Sequence, residues 1–468
     1  MLFTAPAFMF VFLPFALLFC VMFGKNRKKL CLTAVCAAFY VLLNLTTPLN
    51  LLWLLLLVVY AYFAAQLVTL KQSKIFNTLL GAIPLVWLVL MRQVAYFGVD
   101  VYPYPVAMTL PAICSAAYVW DVAYGEKPER KISDLWLYLT FFPIMIIGPF
   151  LTYYEFSHLV EDDKLNISLE RVSSGVRMFA VGFIKMIAVG AVFIEGYSKI
   201  FAYSWESPNL AIILFLFILI YFGVFFSVSG YYDMSCGVAW MLGVDVPTIK
   251  ANPLKVATVN EYSKTLFGNV RTWSNRYIVR PIGIARQKES SGALKIVACC
   301  ITTVVFLRSE PIMLLLCIPL IAFAFASSCL KLDKSYKKGR TGIRTLFAML
   351  TIMVIGAFWM FVTMSGGTPS VFDYIGEAGF DNAEYQTDMV LLSFSGVKYA
   401  FVALIGLLLL APQTNWIERR YECASERARA VVDYSSMILL LALFIFTAVF
   451  FLPQFSFYNY APFRYIII

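Results

Sequence analysis

The sequence predicts an all-α, polytopic integral membrane bundle of about 11–14 spanning or re-entrant helices, carrying one amphipathic polar insert. Three observations lead there. Of the 468 residues, 61% are hydrophobic and 14% charged, with a mean hydropathy of +0.79; a soluble chain of this make-up would leave much of that apolar surface facing water. Apolar runs long enough to cross a bilayer, roughly 17–25 residues, recur along almost the whole chain. The basic residues gather where those runs end.

The first run, 6–24, has no basic stretch before it and no small-residue cleavage site after it, so it is expected to be a retained span and not a signal peptide. Further spans are expected at 31–46, 49–69, 76–92, 106–122, 135–153, 175–198 and 209–229. After a polar interruption they resume at 293–307, 311–330, 345–363, 394–411 and 434–453, with the Pro-interrupted run 311–330 read as broken or re-entrant. No fixed-period repeat and no Gly/Ser- or Pro-rich linker divides the chain, so residues 1–468 are expected to form a single domain.

There are 37 Lys and Arg against 27 Asp and Glu, a net charge of +10. Basic clusters lie at 25–29, at Lys71 and Lys74, from Lys250 to Lys288, at 331–340 and from Arg419 to Arg429. Short Lys/Arg-rich loops stay cytoplasmic, which makes this a multi-pass cell-membrane protein with its N-terminus on the extracytoplasmic side. Because each basic patch abuts a span, the partner it implies is the lipid headgroup layer of the bilayer and not a nucleic acid. The ten cysteines are scattered, Cys20, Cys36, Cys299, Cys300 and Cys317 within apolar runs, and show no CxxC spacing. They read as small buried side chains, and no metal site is expected.

Two interruptions stand out. Between Ser365 and Asp388 the chain is acidic and contains Gly366, Gly367 and Pro369, with no Lys or Arg from 345 to 397; residues 365–388 suit an extracytoplasmic loop. Residues 244–291 are too polar to span, yet from Val259 to Tyr277 apolar and aromatic positions recur every three or four residues. That periodicity predicts an amphipathic cytoplasmic or re-entrant helix tucked under or into the bundle. The alternative is a loop lying on lipid headgroups.

Within these segments, SGYYDMSCGVAWMLGVDVPTIKANPL (229–254) followed by NEYSKTLFGNVRTWSNRYIVRPIG (260–283) resembles the core of the membrane-bound O-acyltransferase family. The bacterial branch is the nearest in pattern, the one holding the alginate O-acetylation membrane protein and the teichoic acid D-alanyl transfer protein. Tyr232, Asp233, Met234, Gly237, Leu242, Gly243, Pro247, Asn252, Pro253, Glu261, Tyr262, Trp273, Tyr277, Pro281 and Gly283 fall on positions of that pattern. Earlier segments match in the same order: LPAICSAAYVWDVAYGE (110–126), LWLYLTFFPIMIIGPFLTYYEF (135–156) and RVSSGVRMFAVGFIKMIAV (171–189).

The family's chemistry rests on two histidines. By the resemblance, one belongs at Phe267 and the other near Leu307 or Arg308; neither is present. Acyl transfer to an alcohol needs a group that accepts a proton, and imidazole, with an unperturbed pKa of about 6.5, suits that task. Phenylalanine and leucine cannot do it. Arginine stays protonated and serves at most to hold an anion.

Three other residues offer a carboxyl or imidazole that could replace the missing base. Asp233 lies in an apolar helix, either as a carboxyl shifted by burial or as a structural partner of Arg271 or Arg276. His158 is the one histidine of the chain, either a relocated base oriented by Asp162 or Asp163 or an interfacial residue beside an acidic turn. Glu261 is either a base or a helix ion-pair partner of Lys264. Tyr231, Tyr232, Asn260, Lys264, Asn269, Arg271, Trp273, Arg276 and Arg308 are the residues expected to line a substrate tunnel.

The resemblance implies O-acylation of an extracytoplasmic polysaccharide or teichoic acid, with an acyl thioester donor, acyl-CoA or acyl-carrier protein, and no bound cofactor. It also implies a cytoplasmic acyl-carrier protein and an extracytoplasmic acyltransferase or esterase-like protein as partners. Three functions remain open on the residues: a catalytically degenerate relative, an active enzyme with another base, and a non-enzymatic conduit for an acyl or lipid-linked substrate.

Overall fold

The computed structural model describes residues 3–23, 27–45, 48–70, 73–96, 105–124, 131–144, 151–165, 167–204, 210–248, 256–279, 312–329, 341–364, 399–400, 402–406 and 425–451. Those residues form helices, and no strand occurs among them. In order they are α1 (Ala7–Phe23), α2 (Lys28–Leu43), α3 (Leu49–Leu70), α4 (Lys74–Tyr96), α5 (Pro105–Tyr124), α6 (Ile132–Thr140), α7 (Tyr153–Leu159), α8 (Leu169–Ile184) and α9 (Val192–Tyr203). Then come α10 (Leu210–Met241), α11 (Val259–Leu266), α12 (Gly268–Ser274), α13 (Ile312–Cys329), α14 (Thr341–Met364) and α15 (Glu426–Phe446). Among the described residues, five helices are long and apolar enough to cross a membrane: Leu49–Leu70, Lys74–Met91, Leu169–Ala202, Leu210–Met241 and Thr345–Thr363. The protein is an all-α, multi-pass membrane bundle. The acidic stretch 365–388, the expected span 293–307 and the insert beyond residue 279 lie outside the described residues.

Two helices are longer than a bilayer requires. Leu169–Ala202 and Leu210–Met241 hold 34 and 32 residues; at 1.5 Å per residue they reach about 50 Å, against a hydrocarbon core of about 30 Å. The apolar run expected to end at 229 therefore continues through Tyr231, Tyr232 and Asp233 to Met241. It ends in a glycine cap. Gly243 takes a left-handed φ of 86°, with Val244 N–H donating to Ala239 O (2.9 Å) and Gly243 N–H to Trp240 O (3.0 Å), the paired bonds of a Schellman motif.

In lipid, hydrophobicity does not drive one helix onto another; close backbone approach does. The interface of α8 with α10 is built that way. A Cβ on Gly175 would lie 2.7 Å from the carbonyl oxygen of Gly237, one on Gly237 2.6 Å from that of Gly175, and one on Gly230 2.6 Å from that of Gly182. These glycines recur every seventh residue, the period that keeps one helix face on its partner. Beyond Ile184 the helix takes a π-turn, Lys185–Ala191, before resuming as α9. Gly190 follows Gly182 by eight residues, and the π-turn absorbs the extra one, so that Gly190 still faces α10, at Ser227.

The expected span 135–153 is not one helix. It stops at Phe141 and passes into a 3₁₀ turn at Phe142–Ile144; residues 145–150 lie outside the described residues, and α7 opens at Tyr153. Pro143 explains the stop, since it lacks the N–H an α-helix would need there. Thr152 caps α7, accepting from Glu155 N–H while the Glu155 carboxylate accepts from Thr152 N–H.

Candidate functional site

The amphipathic helix expected over Val259–Tyr277 is two short helices meeting at Phe267, where ψ is 27° and Gly268 follows. The bend leaves helical bonding nearly intact: Phe267 N–H donates to Ser263 O (3.1 Å) and Arg271 N–H donates to Phe267 O (2.9 Å). Past Ser274 the chain takes a π-turn, Asn275–Val279. The segment is tucked into the bundle, with Asn260, Tyr262, Ser263, Leu266, Arg271, Trp273, Ser274 and Tyr277 buried.

Its start is held by side chains of α10. Tyr232 and Cys236 both donate to the Pro247 carbonyl (2.9 and 3.7 Å) and Trp240 donates to Val246 O (3.1 Å); these residues sit four apart on one helical face. Thr258 caps α11 by accepting from Glu261 N–H (3.2 Å), and the Glu261 carboxylate accepts from Ala257 N–H (2.7 Å). Glu261 thus acts as a helix cap, a role the ion-pair reading with Lys264 did not foresee. Lys264 itself is exposed. From the opposite side, α14 grips the segment through Thr351, which donates to Ala257 O (3.0 Å).

At the bend, Phe267 lies in an aromatic wedge. Its ring centroid is 6.4 Å from that of Trp359 on α14 and 6.2 Å from that of Tyr262. The Trp359 indole N–H donates to the Tyr262 hydroxyl at 3.0 Å. Tyr221 of α10 packs against Tyr262 at 5.7 Å, and its buried hydroxyl has no hydrogen-bond partner among the described residues.

A second cluster joins the far end of the segment to α5. Asp121, its side chain 3% exposed, accepts from Arg276 Nε (3.2 Å) and a terminal guanidinium nitrogen (2.9 Å), while the Tyr277 hydroxyl lies 2.8 Å from both carboxylate oxygens. Trp120, Trp273 and Tyr277 pack around it, with Trp120 and Tyr277 stacked at 5.7 Å. Burying an ion is tolerable because its lone pairs are satisfied. Arg271 does not join this cluster; it donates to Ser263 Oγ at 2.7 Å.

The third cluster is an ion pair inside the bundle. Asp233 on α10 accepts from Lys185 Nζ at 2.6 Å, the two side chains 7% and 1% exposed. Its partner is thus Lys185, in place of Arg271 or Arg276, the two expected for it. Lys185 belongs to the π-turn, the one place where the long helix departs from α-geometry beside α10.

His158 stands apart. It lies on α7, its side chain 42% exposed, edge-on to Tyr154 and 2.7 Å from Glu161. Glu161 is its acidic neighbour in place of Asp162 or Asp163; Asp162 accepts from Lys29 N–H instead (3.0 Å). A hydrogen bond from Lys164, then that from His158, holds the Glu161 carboxyl below its usual range. Tyr231 is buried and stacked on Phe3 at 5.0 Å. Asn269 lies on α12, its side chain outside those described; Leu307 and Arg308 fall outside the described residues. Among the described residues no group of three His, Cys, Asp or Glu is placed to hold a metal ion.

Sequence reasoning singled out Asp233, Trp273 and Arg276 and overlooked Lys185, Asp121, Tyr221 and Trp359. A signal existed for Lys185, since a lone lysine inside an apolar run is an intramembrane charge that needs a partner. Trp359 had none, because nothing local sets it apart from other lipid-helix tryptophans.

The chain is 26% identical over 182 residues to "Probable alginate O-acetylase AlgI" of Pseudomonas putida, a match covering 38% of this chain and 36% of that protein. Against the protein of the same name in Azotobacter vinelandii the figures are 26% over 182 residues, 38% and 35%. A peptidoglycan O-acetyltransferase of Helicobacter pylori is 23% identical over 161 residues, covering 33% of this chain and 30% of its own. The match thus spans about a third of the length of these relatives. No family model matches the chain.

Proposed function

We propose that this protein is a membrane-embedded member of the O-acyltransferase type that takes part in acylating an extracytoplasmic polysaccharide or teichoic acid, and that it does so without the family's imidazole chemistry. The observation that carries the reading is Phe267. At the position where the resemblance calls for a base, a phenyl ring fills the wedge between Tyr262 and Trp359, and a phenyl ring accepts no proton. The polar groups nearby are committed elsewhere: Arg271 to Ser263, the Trp359 indole to Tyr262, and Glu261 to the cap of α11.

Similarity to proteins named for O-acetylating alginate and peptidoglycan supports the polymer class, the apolar helices support a multi-pass place in a membrane, and the Lys/Arg-rich loops support an extracytoplasmic N-terminus. On this reading the protein keeps the scaffold as a binding or assembly partner. Its ligands are an acyl thioester, as acyl-CoA or acyl-carrier protein, on the cytoplasmic side, and an extracytoplasmic acyltransferase or esterase-like protein on the other.

The test is direct. Purified full-length protein is given a labelled acyl thioester and a hydroxyl acceptor, and both donor binding and transfer are measured. The expected result is donor binding with no transfer above the protein-free control. Transfer that survives purification and disappears in Asp233→Asn or His158→Ala would replace this reading with that of an active enzyme using another base.

A further inference from the structure

We propose that the buried Lys185–Asp233 pair is a register lock, selecting one of two sliding positions that the interface of α8 with α10 would otherwise accommodate. The inference stands apart from the acyltransferase reading.

The interface is periodic and therefore ambiguous. In the observed register Gly175 faces Gly237 and Gly182 faces Gly230. Gly223, seven residues before Gly230, continues the row. Sliding the helices by one heptad would set Gly175 against Gly230 and Gly182 against Gly223, again glycine on glycine. Over α8, close backbone approach, the contact that holds helices together in lipid, is thus available twice, whereas beyond α8 the packing of Gly190 on Ser227 and of Gly223 on Ile194 belongs to the observed register alone. The apolar residues that flank the glycines, Met186, Met234, Met241 and Phe179, do not separate the two positions sharply, since methionine adapts to irregular gaps.

The charges do separate them. In the observed register Lys185 Nζ and an Asp233 carboxylate oxygen meet at 2.6 Å, both side chains nearly sealed from solvent. One heptad away, Lys185 would come opposite Phe226 and Asp233 opposite Met178. Each ion would then be buried without a counter-ion, the arrangement a low-dielectric interior tolerates least. A single polar pair at one place in an apolar repeat is the best attested way of fixing register between helices.

The experiment measures helix register in the full-length protein. Spin labels carried by non-cysteine unnatural residues at Val176 on α8 and Leu214 on α10, both exposed, report one inter-helix distance by pulsed dipolar spectroscopy. A heptad slide changes the axial separation by about 10 Å. The parent protein should give one distance. Lys185→Met with Asp233→Leu, which removes both charges, should give two populations separated on that scale. Asp233→Leu with Phe226→Asp, which moves the acid one heptad while keeping Lys185, should transfer most of the population to the second distance. The proposal is overturned if both variants keep the parent distance alone. Failure of both to fold would overturn it too, because it requires two registers of comparable packing.

Discussion

The indole N–H of Trp359 donates to the hydroxyl of Tyr262 across 3.0 Å, tying the insert to α14 next to the residue that stands where the resemblance places a base. Tyr262→Phe removes the acceptor and leaves the donor buried and unsatisfied, at a cost of about 1–3 kcal/mol. The expected readout is a lower unfolding temperature for the detergent-purified protein, with far-UV circular dichroism unchanged at 20 °C. No loss of stability would mean that another acceptor takes over the indole.

Tyr221→Phe should behave oppositely. Its hydroxyl is buried and without a hydrogen-bond partner among the described residues, so deleting it removes a desolvation penalty while keeping the ring against Tyr262. Stability is expected to hold or to rise by about 1 kcal/mol. A fall of that size or more would reveal a partner for the oxygen.

Asp121→Asn takes the charge from beneath Arg276 and weakens the acceptor shared with Tyr277. Breaking a buried pair on one side costs about 3–5 kcal/mol, with the lower end expected because the Arg276 side chain is 29% exposed. The change should loosen the insert before the bundle. Limited proteolysis should therefore cut the insert faster in the variant while the cleavage pattern of the remaining helices stays the same.

A pair of glycine substitutions separates close approach from helix propensity. Gly230→Ala drives a methyl group to 2.6 Å from the Gly182 carbonyl and should destabilise by about 1–3 kcal/mol. Gly342→Ala on α14 meets nothing within 4 Å and should stabilise, by at most about 1 kcal/mol. Thermal unfolding of the two variants side by side checks the contrast.

The Glu161 carboxyl is held below its usual range, first by Lys164 and then by His158. A depressed carboxyl contributes its stabilisation above the unfolded pKa of about 4.3 and loses it as pH falls through the lower folded value. His158→Ala should therefore raise the Glu161 titration point in a pH series and slightly lower the unfolding temperature above it, by less than Lys164→Ala does, since Lys164 is the larger cause. A large neutral-pH effect would assign the imidazole more than this surface role.

Membrane class and helical architecture were legible because hydropathy is a local property, summed over a run. What was illegible depends on partners far apart in sequence. Asp233 and Lys185 are 48 residues apart, so nothing local to α10 reveals why the helix can continue past Ser229 with a carboxylate in it. Pro143 was in plain view and did break the expected span. The bend at Phe267 had a signal in Gly268, but periodicity from Val259 to Tyr277 outweighed it, since side chains on both sides of a one-residue bend keep facing the same neighbours. At the candidate site, the position of Phe267 was legible through resemblance, whereas its contacts with Trp359 came from a helix nearly a hundred residues onward.

The Schellman turn at Gly243 and the three α10 donors to Val246 and Pro247 have a joint outcome. Residues 244–247 double back along the helix they have just left, so the chain cannot peel away at this corner without unwinding the final turns of α10. Amide deuteration of Ala239–Leu242 and of the doubled-back residues should then advance as a single kinetic event, making the corner a hinge that opens whole or stays shut.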